Sequence, residues 1–327
     1  MNLNTTYDAK LTEELALTDE WDKTFPKSDK VDHAKVRFVN RFGITLAGDL
    51  YMPKGAEGKL PAVAVASPYG AVKEQSGGLY AQELAGRGFV TLVFDPSFTG
   101  ESGGAVRNIS AADVNLDDFA SAIDYLECLE AVDEKRIGAL GVCGWGCYTF
   151  PLAAMDARVR AVVSATMGVF DTFEDGDARL AGRAGLVALR SRLARGEELP
   201  PMITVPDVDD ESPDFMRDYY AYYRTDRGYH PRSINSGLGW NPTTSLSHWT
   251  NDIYAYADEV RQPCLLVHGD QAWSYQQSVL MMGRLTNAAS KELVTIKGAT
   301  HCDLYDGGGK DAIPFEKIEA FLKEHLA

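Results

Sequence analysis

A strand pattern runs into a glycine-rich turn in the segment Ile137-Gly-Ala-Leu-Gly-Val-Cys-Gly-Trp-Gly-Cys147. The apolar residues before Cys143 are typical of a buried strand, and the glycines predict a tight turn into a helix. Cys143 would then lie at a helix N-terminus, where the helix dipole lowers the pKa of a thiol. The segment therefore predicts a nucleophilic Cys143, with a buried structural cysteine as the plain alternative.

Strands and helices alternate on both sides of this segment. Period-two alternation around Arg41 predicts a hairpin over residues 31–51. Alternating units of this kind predict a mostly parallel, twisted sheet with helices on both faces. Strands are predicted at 62–66, 89–94, 136–141, 159–164, 264–268 and 291–296, and helices at 78–88, 114–129 and 313–325.

The alternation stops over residues 166–259, which are rich in Tyr, Asp, Arg and Pro. A segment of that length is too long for a loop inside a compact domain, so we predict an inserted helical lid. The expected organisation is an N-terminal surface arm over 1–30, an α/β core over 31–165 and 260–327, and the lid over 166–259.

Charge and composition narrow the classes of partner. The chain has 327 residues and a formal net charge of -15, which argues against binding nucleic acid or an anionic membrane surface. No apolar run is long enough to span a bilayer, and the five scattered cysteines fit a reducing cytoplasm. We expect a cytoplasmic enzyme with a small-molecule substrate. The oligomeric state stays open, a homodimer included.

Two later strands end in residues that suit nucleophilic catalysis. Asp270 follows the apolar run at 265–269, and His301 follows the strand at 291–296 in a Gly-Ala-Thr-His loop. In an open α/β sheet, catalytic groups gather at the carboxyl ends of the strands. We therefore predict a Cys143-His301-Asp270 triad, with Asp270 orienting the base. A turn-capping role is the alternative for Asp270.

Acyl transfer also needs donors for the oxyanion that forms on the substrate. One predicted donor is the backbone N–H of Gly144, directly after the nucleophile. The second should come from the loop after the strand at 62–66, where Pro68 has no N–H. Tyr69 or Gly70 is therefore the second candidate.

These residues resemble the α/β-hydrolase superfamily and, within it, the dienelactone-hydrolase-like branch, which places Cys where most relatives place Ser. The resemblance rests on the elbow, the Gly-Ala-Thr-His loop, the stretch Gly70–Gln75 and the turn around Phe94, Asp95 and Gly100–Ser102. It implies cleavage of an ester, lactone or thioester through an acyl-enzyme, with no cofactor and no metal. An acyltransferase and a catalytically degenerate binding protein are the alternatives.

The resemblance also suggests residues around the pocket. In that branch a Glu approaches the nucleophile at rest, which implies a pocket role for Glu74; a solvated Glu at a helix start is the alternative. Trp145 departs from the pattern, which usually has a small residue there, and is a candidate pocket residue. So is Trp273, beside the acidic turn. The acid position often found three residues after Gly269 is Ala272 here.

Overall fold

The protein, described here from a computed structural model over residues 11–169 and 176–327, is built on a sheet of eight strands. From β3 onward the neighbouring strands are parallel, whereas β1 and β2 form an antiparallel hairpin and β2 pairs antiparallel with β4. The predicted mostly parallel sheet is confirmed. The strands are β1 Val31–Val39, β2 Thr45–Pro53, β3 Leu60–Ala66, β4 Val90–Phe94, β5 Val132–Val142, β6 Val159–Ala165, β7 Cys264–Gly269 and β8 Lys291–Ile296, in the spatial order β1-β2-β4-β3-β5-β6-β7-β8.

Helices pack against both faces of the sheet, so the central strands are buried on both sides. Phe119 of α2, Leu152 of α3 and Met281 of α6 belong to the core on one face. Tyr80 of α1 and Ile318 of α8 belong to the core on the other. The helices are α1 Ser76–Ala85, α2 Ala112–Glu127, α3 Gly144–Met155, α4 Gly176–Ala194, α5 Asp214–Tyr223, α6 Tyr275–Arg284, α7 Asp303–Asp306 and α8 Phe315–His325.

The segment between β6 and β7 contains α4, α5 and short 3-10 helices at 234–236, 244–246, 248–250 and 257–259. One antiparallel bridge joins Met202 to Trp240. We call this segment the insertion. Residues 170–175 of the predicted lid and 1–10 of the predicted arm lie outside the described residues. In the described ranges, no helix combines the length and apolar character needed to cross a membrane.

The described part of the N-terminal arm packs more deeply than a surface arm. Leu15 and Phe25 are buried in the core. The Lys23 side chain is 1% exposed and pairs with Asp49 of β2. The arm therefore contributes to the folded core instead of lying on it.

Candidate active site

The turn between β5 and α3 is a strained elbow with Cys143 at its tip. Cys143 has φ 57° and ψ -125°, a backbone conformation that L-residues rarely adopt and that costs about 1–3 kcal/mol. A Cβ on Gly141 would lie 2.2 Å from the carbonyl oxygen of Trp145, and one on Gly146 would lie 2.8 Å from Ser164 Oγ. The glycines are therefore required by close packing inside the elbow.

Trp145 is accommodated because its indole points away from this tight contact. It packs edge-on against Phe94 and Phe119, with ring centroids 5.7 and 5.8 Å away, and is buried in the core. The prediction that Trp145 is a pocket residue is therefore wrong. Position 145 needs space toward α2, which the core supplies.

Cys143 opens onto a cavity of about 230 Å³ between the sheet and the insertion. We call this cavity the acyl pocket. Most of its wall is apolar or aromatic, and none of the described lining residues is acidic. It is lined by Tyr69, Cys143, Gly144, Tyr148, Gly168, Val169, Met202, Thr204, Val205, Met216, Tyr219, Asn235, Trp240, Thr244, Ser245 and His248.

Two backbone N–H groups are directed at the sulfur of Cys143. Those of Gly144 and Tyr69 favour the thiolate, although burial is the dominant influence and raises the pKa of the Cys143 thiol. The two loops approach closely: a Cβ on Gly144 would lie 2.9 Å from Tyr69 Cβ. Of the two candidates for the second donor, Tyr69 is the one whose N–H faces the sulfur.

Gly70 has a different role, in the shape of the loop. Its φ is +80°, and a Cβ there would lie 2.6 Å from the side-chain oxygen of Asn235. Asn235 donates to the Tyr69 carbonyl at 2.8 Å, and its backbone N–H donates to the Gly70 carbonyl at 3.2 Å. The insertion thus holds the Tyr69 peptide in place.

The expected activation of the thiol by the helix dipole is outweighed by desolvation. Cys143 is 6% exposed, and burial raises its pKa from 9.0, with the Tyr305 and Tyr219 hydroxyls acting in the opposite direction. Its sulfur lies 3.9 Å from the Gly168 carbonyl oxygen and 3.9 Å from the Tyr219 hydroxyl. The resting group is therefore a thiol.

His301 lies on the other side of Gly168. A Cβ on Gly168 would be 3.1 Å from His301 Cε1, so a larger residue there would require the imidazole or its neighbours to shift. The ring is 1% exposed, and burial, followed by the nearby His268, lowers its pKa well below 6.5. Its Nε2 is buried with no hydrogen-bond partner among the described residues. In the described part of the chain, no direct hydrogen bond joins Nε2 to the Cys143 sulfur.

Hydroxyl groups orient His301. Its Nδ1 lies 2.8 Å from Ser274 Oγ and 3.2 Å from Thr166 Oγ1. Ser274 Oγ also lies 3.0 Å from Nε2 of His268, whose Nδ1 lies 2.6 Å from Ser278 Oγ. Burial lowers the pKa of His268 to about 3, so this ring is neutral. A His301-Ser274-His268 chain therefore occupies the position expected for the acid.

Asp270 does not reach His301. Its Oδ1 accepts hydrogen bonds from the Gly298 backbone N–H at 2.7 Å and the Gln271 amide at 3.0 Å. The chain turns at Gly269, where a Cβ would lie 2.2 Å from the Ala299 carbonyl oxygen, and Asp270 then faces the loop after β8. The alternative role as a turn-capping residue describes this position, and the predicted orienting contact is absent.

The insertion supports the loop that carries His301. Asp218 of α5 accepts from the Thr300 hydroxyl at 3.0 Å and from the Cys302 backbone N–H at 3.0 Å, on either side of the histidine. Trp273 stacks on the His301 ring with centroids 5.7 Å apart and donates to the Tyr219 hydroxyl at 3.3 Å. Trp273 therefore covers the imidazole of His301, and it is not among the described residues that line the acyl pocket, contrary to the prediction that it is a pocket residue.

Glu74 lies in a buried ion cluster and contacts neither the thiol nor the pocket lining. Lys73, whose side chain is fully buried, lies 2.8 Å from Glu74, 2.8 Å from Asp95 and 2.7 Å from Glu101. Although burial opposes ionisation, Lys73 and Lys35 hold the pKa of Glu74 well below its usual range. Both the expected pocket role and the solvated alternative are wrong. The ion cluster comprises Lys23, Lys35, Asp49, Lys73, Glu74, Asp95, Glu101 and Arg232.

His248 forms a second polar group on the pocket wall, at its far side. Its Nδ1 lies 2.8 Å from the Tyr148 hydroxyl, and its Nε2 lies 2.8 Å from Ser110 Oγ. Burial lowers its pKa to about 4. Sequence reasoning missed His248, Ser274, His268 and Asp218. Only Ser274 had a signal, since it follows the end of β7 in the same loop as Asp270.

No three His, Cys, Asp or Glu side chains of residues 11–169 and 176–327 are grouped so that they could hold a metal ion. The arrangement instead places a thiol and two backbone N–H groups on one cavity, with the imidazole of His301 next to Gly168 of the cavity wall. These are the groups that acyl transfer requires.

Similar proteins bear on this arrangement. The model of the X-Pro dipeptidyl-peptidase (S15) family matches residues 43–303. The uncharacterized protein PA2218 of Pseudomonas aeruginosa is 45% identical over 96% of this chain and 86% of its own length. Its crystal structure has a TM-score of 0.89 and covers 96% of this chain and 100% of that one.

More distant proteins are named for an activity or a fold. The thiohydrolase aneE of Aspergillus aculeatus is 28% identical over 56% of this chain and 57% of its own length. The α/β-hydrolase GrgF of Penicillium has a TM-score of 0.69 at 21% identity, covering 90% of this chain and 99% of that one. The α/β-hydrolase fold predicted from the sequence is confirmed.

Proposed function

The chain belongs to the X-Pro dipeptidyl-peptidase (S15) family of α/β-hydrolases, and we propose that it cleaves a thioester or activated ester of a small apolar acyl group through Cys143. One observation carries the proposal. The Cys143 sulfur sits on a strained elbow with the N–H groups of Gly144 and Tyr69 directed at it. The cysteine in this position is also the feature shared with the dienelactone-hydrolase-like branch.

In the proposed mechanism, His301 Nε2 accepts the thiol proton as the sulfur attacks the substrate carbonyl. The N–H groups of Gly144 and Tyr69 stabilise the oxyanion, each by roughly 3–4 kcal/mol in comparable sites. The tetrahedral intermediate collapses to an acyl-enzyme, and His301 returns the proton to the departing thiolate or alkoxide. Water, deprotonated by His301, then releases the acid and regenerates the thiol.

A neutral orienting group is compatible with a sulfur nucleophile. If His301 donates from Nδ1 to Ser274 Oγ and Ser274 donates to His268 Nε2, then His301 Nε2 is left as the proton acceptor. A hydroxyl stabilises an imidazolium less than a carboxylate does. A thiol is much more acidic than a serine hydroxyl, so a base without a carboxylate partner suffices.

The lining of the acyl pocket favours esters or thioesters over X-Pro peptides. A dipeptidyl-peptidase must bind the free amino group of its substrate, and a buried ammonium needs a carboxylate partner. None of the described lining residues of the acyl pocket is acidic. The similarity to a protein named thiohydrolase supports thioester chemistry in particular.

Acyl transfer to an alcohol or amine is the second candidate. The pocket walls are largely apolar, and a cavity that admits little water favours another nucleophile over hydrolysis. Product analysis in the presence of competing alcohols and amines separates the two: transfer gives a new ester or amide, whereas hydrolysis gives the free acid.

The test compares Cys143→Ala with Cys147→Ala on p-nitrophenyl hexanoate and hexanoyl-pantetheine. We expect Cys143→Ala to lower kcat by more than roughly 10⁴-fold, because the covalent step is lost. Cys147, also buried and one helical turn away, should keep near-native activity when changed to alanine. Mass spectrometry of the quenched wild-type enzyme should find the acyl group on Cys143. Turnover by Cys143→Ala at a near-native rate would overturn the proposal.

A further inference from the structure

A second cavity, of about 370 Å³, adjoins the acyl pocket. The two cavities share a wall formed by Tyr148, Val169 and His248. The second cavity lies between α4, the end of α6 and the segment around Trp249. A molecule that extends from the acyl pocket past His248 would therefore enter it.

Three arginines line this second cavity, which we call the arginine cavity: Arg179 and Arg183 of α4 and Arg284 at the end of α6. No carboxylate of the described residues forms an ion pair with any of them. Asp252 is the acidic residue in the described lining, and its Oδ1 accepts from the Tyr254 backbone N–H at 2.8 Å. Among the described lining residues, three arginines thus face one aspartate, in a chain of net charge -15.

Arg183 is held in place while part of its guanidinium remains unpartnered. Its NH2 donates to the Trp249 carbonyl at 2.5 Å, and Gly182 lets α4 approach the Trp249 ring closely. Its Nε is buried and has no hydrogen-bond partner among the described residues. A buried donor of this kind is unfavourable unless a ligand satisfies it, and guanidinium groups bind phosphate through parallel hydrogen bonds.

We infer that the arginine cavity binds the phosphate of a phosphopantetheine thioester, the thiol arm of coenzyme A and of carrier proteins. The inference rests on the proposed thioester cleavage at Cys143. A thioester of this class ends in a phosphate at the far end of a long, flexible arm from the reactive carbonyl. Its phosphate spreads negative charge over several oxygens, and guanidinium groups bind phosphate oxygens through parallel hydrogen bonds, so several arginines match it.

The test measures binding to Cys143→Ala by calorimetry, so that it does not depend on turnover. We expect phosphopantetheine to bind about tenfold or more tightly than pantetheine, because the two differ only in the phosphate. Arg284→Gln and Arg183→Gln should each reduce this ratio toward one. Arg190→Gln is the matched control, since Arg190 is exposed on the same helix and does not line the cavity; it should keep the ratio.

Equal affinities for phosphopantetheine and pantetheine would overturn the inference, and so would a ratio unchanged in both arginine variants. Either result leaves the proposed function standing if Cys143 still cleaves hexanoyl-pantetheine. The affinity for coenzyme A distinguishes the two sources of the phosphopantetheine arm, the free coenzyme and a carrier protein. If it binds as tightly as phosphopantetheine, the free coenzyme is the carrier. If it is excluded while phosphopantetheine binds, the arm belongs to a carrier protein.

Discussion

The loop after β3 borders two regions in which burial has opposite effects on the charge of ionisable side chains. On one side, Lys73 and Glu74 belong to the ion cluster, in which each buried charge has opposite charges within hydrogen-bond distance. On the other side, Tyr69 lines the acyl pocket, where burial raises the pKa of Cys143 and, next to Gly168 of the pocket wall, lowers that of His301. Burial alone neutralises ionisable groups, whereas burial with matched counter-charges keeps them ionised.

Removing one charge from the ion cluster tests this contrast most strongly. Lys73→Ala leaves Asp95, Glu74 and Glu101 without their shared cation, so we expect a loss of about 3–5 kcal/mol in the free energy of unfolding. Urea denaturation measures it. Lys59→Ala is the control, since Lys59 pairs with Glu134 at an exposed site and should cost less than about 1 kcal/mol. Equal stability of the two variants would contradict the contrast.

Around His301, we expect a single substitution to change the reaction rate more than the stability. Ser274→Ala removes the nearer of the two hydroxyls at His301 Nδ1, and we expect kcat to fall by roughly 10- to 100-fold with little change in KM. Asp270→Asn should stay within about twofold of wild type, because Asp270 does not contact His301. A loss of activity in Asp270→Asn and not in Ser274→Ala would instead support the Cys143-His301-Asp270 triad.

A charged replacement distinguishes positioning from mere structural support. Ser274→Asp places a carboxylate beside Nδ1, which raises the pKa of His301. The acid limb of the pH profile should then move to higher pH than in wild type. A purely structural role for Ser274 would leave that limb in place.

The smallest effect concerns the pH dependence of the wild-type enzyme. Because the pKa of His301 is lowered, the base stays neutral until the pH falls well below 6.5, and kcat/KM should be flat through neutral pH. Because the pKa of Cys143 is raised, alkylation by iodoacetamide should accelerate only above pH 9.0. Rapid alkylation at neutral pH, with an acid limb above 6.5, would indicate a preformed thiolate-imidazolium pair instead.

The sequence predicts the features that depend on local spacing. The alternating apolar runs predict the sheet, and the glycines around Cys143 predict a turn that only small residues allow. Strand ends place Cys143, His301 and the Tyr69 loop at one edge of the sheet. Each of these features follows from the backbone geometry of one segment, and that geometry depends on the local sequence.

The features it missed depend on which way a side chain turns or on partners distant in the chain. Asp270 and Ser274 follow β7 in one loop, and the close contact of Gly269 with the loop after β8 determines which of them reaches His301. Glu74 is ionised in the core through Lys35 of β1 and Arg232 of the insertion. Neither partner is recognisable from the sequence around Glu74.

The two hydrogen bonds of Asp218 limit how this scaffold can be re-engineered. Exchanging the insertion for that of another hydrolase would remove the anchor of the segment that carries His301, the proposed general base. Such a chimera would lose rate although every reacting group had been retained. A successful graft must keep an acidic side chain at position 218, where it can bind Thr300 and Cys302.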